Sequence, residues 1–188
     1  MQTSLPRTGL LGYWDRLVGP GMTQSELTLV LVASFFGAIF AMTTTLANGY
    51  PWPLVVFAAF IGLDVVGSAV CNTTWTTKAW YHRDGQTFWS HMSFIALHVS
   101  HVAVFAYCFR GEHFDWWFFS LVSCLLITSA CLTLSVSPRL RLPVSAFCFS
   151  VSLALLDILP FSSLLGWLVP LLFLKLLIGH AVPPRLMT

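Results

Sequence analysis

The chain has 188 residues, of which 57% are hydrophobic and only 9% charged, and its net charge is +2. A soluble domain would carry about 25% charged residues. The composition therefore describes one integral membrane domain, and so weak a positive charge excludes a nucleic-acid partner.

Residues 1–22 contain Pro6, Gly9, Gly12, Gly19, Pro20 and Gly21 and read as an irregular cytoplasmic leader. Arg7, Asp15 and Arg16 interrupt this stretch, so it lacks the apolar core of a signal peptide. A six-helix membrane domain is expected over residues 23–182, and residues 183–188 form a short cytoplasmic tail. The first span runs from about Leu27 to Leu46. Thr23 followed three residues later by Glu26 fits a capping box before it. Ala33, Gly37 and Ala41 form a small-residue face suited to close helix packing. After a turn at residues 48–53, the second span covers about Leu54 to Cys71. Residues 72–86 read as a helical extension and an interfacial loop with Lys78, Trp80, Tyr81, His82 and Arg83.

The third span covers about Thr87 to Phe109 and the fourth about Trp116 to Val136. The fifth runs to about Leu159, where Pro160 stops it, and the sixth from about Ser162 to Ala181 with Pro170 inside. Each run is near the ~20 residues needed to cross the hydrocarbon. Six spans place Arg7, Arg16, Lys78, Arg83, Arg139, Arg141 and Arg185 on one side, and Arg110 with Glu112 and Asp115 on the other. The positive-inside rule then puts both termini in the cytoplasm. The expected fold is an all-α, polytopic bundle of six transmembrane helices, a multi-pass integral membrane protein. Cys71, Cys108, Cys124, Cys131 and Cys148 all fall in or beside apolar runs, so five free thiols are expected.

The third span holds the chemistry. His91, His98 and His101 share one helical face, and the second span offers Asp64, Gly67, Ser68 and Asn72 on a matching stripe. Consecutive spans are expected to be antiparallel neighbours, with Gly67 and Ser68 letting the backbones approach. Advancing ~1.5 Å per residue from the cytoplasmic end, Asp64 arrives level with His98 and His101, and Asn72 with His91. Ionisable groups inside a bilayer are costly and are functional by default. Asp64, His98 and His101 are the candidate catalytic residues. The same three could hold a divalent metal ion as cofactor, with Asn72, His91 and His82 as a second layer. Without metal, a carboxylate–imidazole pair can move protons near neutral pH.

The leading expectation is a small membrane enzyme, metal-dependent or acid–base, acting on a lipid-soluble substrate. The alternatives are a proton-coupled transporter or channel subunit, and a non-catalytic scaffold whose polar stripes are packing glue. The bilayer is the expected partner, and a homo-oligomer or a membrane partner subunit would answer the short chain length. Asp157 and Lys175 resemble an ion pair. A hairpin turning at Pro160 would separate them by about 16 Å along the axis, sending Lys175 to snorkel toward the inner interface. Asn72-Thr73-Thr74 is a glycosylation sequon, but on the expected cytoplasmic side.

Overall fold

The computed structural model describes residues 5–158 and 166–184. It is all-helical, with no strand among the described residues. Four helices are long and apolar enough to cross a membrane: Gln24–Ala47, Trp52–Cys71, Phe88–Cys108 and Trp116–Ser135. Two further apolar helices are shorter by this measure. The end of the expected fifth span and the start of the sixth, with the Pro160 turn, lie outside the described residues, as does the Asp157 side chain.

The leader is not irregular: residues Gly9–Val18 form α1. Its start is tied down by Arg7, whose guanidinium meets the buried Asp15 carboxylate at 2.6 Å. That contact holds Asp15 down at about 2, the side-chain bond from Arg7 being the main cause. α2 (Gln24–Ala47) begins on the expected capping box, with the Thr23 side chain accepting from the Glu26 N–H and Glu26 accepting from the Thr23 N–H. Glu26 also accepts from the Thr76 hydroxyl at 2.8 Å, which fixes α4 (Trp75–Tyr81) beside the start of α2.

α3 (Trp52–Cys71) packs along α2. The small-residue face is the reason. A Cβ on Gly62 would meet the Ala41 Cβ at 2.7 Å, and one on Gly37 would meet the Val66 Cβ at 2.6 Å. Gly67 faces Ser34 of α2, so it does not serve the third span as its sequence position suggested.

The third span is two helices in line, α5 (Phe88–Leu97) and α6 (Val99–Cys108), interrupted at His98. There the backbone bonds tighten: His98 N–H donates to Ile95 and His101 N–H to the His98 carbonyl, both i to i−3. α7 (Trp116–Ser135) packs on α5, α6 and α8 (Arg141–Ile158). The chain returns as α9 (Leu168–Phe173), which continues directly as a π-helix, Leu174–His180. This last segment packs on α3, where the third span was expected, and also touches α7 and α8. Phe173, Leu176 and Leu177 bury here among Phe105, Phe118, Val122 and Leu126.

Candidate active site

Asp64 lies on α3, two turns before its C-terminus. Its Oδ2 accepts from His101 Nε2 at 3.1 Å and from Lys175 Nζ at 3.1 Å. The lysine is the component missed from the sequence. It does not snorkel to the interface: its side chain is 3% exposed, against 46% for Asp64. The π-helix sets its backbone beside Asn72, whose side-chain amide donates to the Lys175 carbonyl at 3.3 Å. From there the methylene chain runs deeper, because the anion lies in that direction. The signal was available, since a lysine inside an apolar helix is a functional candidate by default. Axial depth in a hairpin turning at Pro160 separates Lys175 from Asp157 but does not separate it from Asp64 on another helix.

His98 does not bond to Asp64. Its Nδ1 lies 2.8 Å from the carbonyl of Phe94, and its ring stacks on His101 at 5.0 Å and 16°. The i to i−3 turn at the helix break eclipses residues 98 and 101, which brings the two rings face to face. A carbonyl only accepts, so Nδ1 carries the hydrogen and Nε2 is left as a lone-pair acceptor.

A cavity of about 360 Å³ opens beside these residues. Asp64, His98, Lys175, Asn72, Ser34 and Ser68 supply its polar wall, and Leu31, Phe35, Leu63 and Leu97 its apolar one. Trp14 and Leu17 of α1 and Tyr81 of α4 close the end nearest the basic loops. α1 is held in that position by hydrogen bonds from Trp80 Nε1 to the Arg16 carbonyl at 3.0 Å and from the Tyr81 hydroxyl to the Leu17 carbonyl at 2.9 Å.

No protein-family model, curated protein or solved structure matches this chain.

The expected second layer is rearranged. His91 Nδ1 meets His180 Nε2 at 3.1 Å, and His82 Nε2 donates to the His180 carbonyl at 2.8 Å. The His82 and His91 rings are 4.5 Å apart, while Asn72 is engaged with Lys175 instead. Burial lowers the His82 imidazole to about 4, and the neighbouring His91 and Lys78 push in the same direction. Lys78, lowered to about 8 by burial, donates to the carbonyls of Ile178, Gly179 and Val182 at 2.6–2.9 Å and so caps the π-helix.

The metal assignment of Asp64, His98 and His101 gains no support from this geometry. Among the described residues no three His, Cys, Asp or Glu side chains are grouped to hold a metal ion. Lys175 and His101 both donate to Asp64 Oδ2, so His101 turns its Nε2 to the carboxylate and not to a centre shared with His98. The second layer fares no better, because His91 is bonded to another imidazole and Asn72 to a carbonyl. The buried Asn72 is equally unsuited to glycosylation. All five cysteines are free thiols, as expected.

Proposed function

We propose that this protein is a small integral membrane enzyme that performs acid–base chemistry on a lipid-soluble substrate. The observation that carries the proposal is the cavity with the Asp64–Lys175 pair and His98 in one wall. Packing glue between helices does not require a cavity beside it, and a cavity of this size falls in the range of small-molecule sites. His98, with a free Nε2 lone pair, is the general base. Asp64 holds His101 and Lys175 in place through Oδ2 and, half exposed, keeps Oδ1 for the substrate. His101 and Lys175 are positioning residues for that carboxylate.

The test is reconstitution in liposomes made from a total membrane lipid extract, followed by mass spectrometry of the lipids before and after incubation. Wild type should convert one lipid class, and His98→Gln should abolish that conversion while leaving the helical content unchanged. A lipid profile untouched by wild type removes the enzyme reading.

A second reading, a proton-relay subunit, has one observation in its favour. Asp64, His101 and His98 are followed toward the basic loops by His180, His91 and His82, each in ring or hydrogen-bond contact with a neighbour in this series or with Phe94. Dissipation of a pH gradient in the same liposomes distinguishes it.

For topology we retain six spans with both termini cytoplasmic. α8 and the α9–π segment supply the two shorter apolar helices, and the basic residues fall on alternate loops. A C-terminal tag cleavable only from outside intact cells would refute this.

A further inference from the structure

We propose that the cavity takes an uncharged lipid alcohol, a hydrophobic chain ending in a hydroxyl, rather than a fatty carboxylate or a phospholipid headgroup. The inference rests on the reading of this cavity as a ligand site. The first argument is charge. The Asp64 carboxylate and the Lys175 ammonium are 3.1 Å apart and cancel one another. A charged head entering here would shed its hydration and find no net opposite charge in exchange. A second anion would be repelled by Asp64 about as strongly as it is attracted by Lys175.

The second argument is hydrogen-bond polarity. Lys175 is buried behind the carboxylate, with its ammonium turned onto Oδ2, and Asn72 donates to a backbone carbonyl. Toward the cavity stand Asp64 Oδ1 and His98 Nε2, both acceptors, beside the Ser34 hydroxyl, which can donate or accept. A ligand must therefore bring a donor, which a hydroxyl has and an ester, a ketone or a carboxylate lacks.

The third argument is access. Phe35 is 62% and Leu97 68% exposed, yet both line the cavity. They form a rim between α2 and α5 on the surface that faces lipid. The entrance is thus lateral, from the hydrocarbon, and suits a molecule with one small head and an apolar chain.

The full-length protein in nanodiscs is exposed at mildly alkaline pH to a long-chain alcohol bearing a diazirine, or to the fatty acid of the same chain. Adducts are located by peptide mass spectrometry. In wild type the alcohol should label residues 30–35 and 94–97 at least about tenfold more than the acid, the ratio that a difference of one decade in affinity produces. Asp64→Asn leaves Lys175 as an unbalanced cation, so the preference should reverse toward the acid. Asp64→Asn combined with Lys175→Met removes both charges and should return it to the alcohol. This double variant keeps the test open if the single one folds poorly. Equal or better labelling by the acid in wild type, or a ratio insensitive to Asp64→Asn, overturns the proposal. Labelling by neither probe at these residues overturns the ligand site itself. Strong labelling by the alcohol with no conversion in the liposome assay sustains this inference and removes only the enzyme reading.

Discussion

Lys175 is 3% exposed and its ammonium stands 3.1 Å from Asp64. Asp64→Asn leaves that ammonium buried without its anion. At this separation the gross attraction is roughly 5 kcal/mol for an effective dielectric constant of about 20. Removing one member of a buried pair costs about 3–5 kcal/mol, and the partial exposure of Asp64 places this case near the lower end. Lys175→Met is expected to be milder, about 1 kcal/mol, because the remaining carboxylate keeps its bond to His101 and faces an open cavity. The double variant should also cost only about 1 kcal/mol, since no charge is left stranded. The cycle then yields a coupling of about 3 kcal/mol, well above the ~0.5 kcal/mol within which independent sites add. Reversible unfolding in mixed detergent micelles, titrated with a denaturing detergent, measures all four proteins. Additivity within that limit, or Lys175→Met costing more than Asp64→Asn, would show that the pair does not carry the site as described.

Gly37→Ala should destabilise by about 1–3 kcal/mol in the same titration, because the new methyl meets Val66 and the Gly62 carbonyl with no room to shift. Lys78→Met releases three carbonyls at the end of the π-helix and should raise amide hydrogen exchange around residues 178–184, at a cost of about 2–3 kcal/mol. Stability should also fall in acid through His82. Its folded value of about 4 lies below the ordinary 6.5, so the unfolded chain takes up the proton first. The contribution is complete above pH 6.5 and is lost as the pH falls toward 4, by up to about 3 kcal/mol. Lys78, His91, His180 and Arg141 all act on this imidazole. Melting temperatures between neutral pH and pH 4.5 should show a slope that His82→Gln reduces, and an unchanged slope would contradict the assignment. Alkylation of the unfolded, unreduced protein should add five groups by mass, one for each free cysteine.

Local order along the chain was legible in the sequence. The Thr23–Glu26 capping box, the Gly37–Ala41 packing face and the membrane character of the helices all depend on spacing within one segment, and periodicity is a local property. The approach of Asp64 to His101 followed from axial depth for the same reason: rise per residue carries a position across a short loop with little error. Which helix lies beside α3 was a different kind of question. In a bilayer the lipid-facing and protein-facing sides of a helix are both apolar, so hydrophobicity does not label the contact face. Only the tertiary structure placed the π-helix there, and with it Lys175 against Asp64, His180 against His91 and Lys78 over the last carbonyls. The break at His98 was hidden as well, because the residues around it have no proline or glycine to announce it. The cavity belongs to the same class of features. It is lined by α1, α2, α3, α4, α5 and the π-helix together, and a void bounded by segments as far apart in sequence as Trp14 and Lys175 leaves no periodic trace in any one of them.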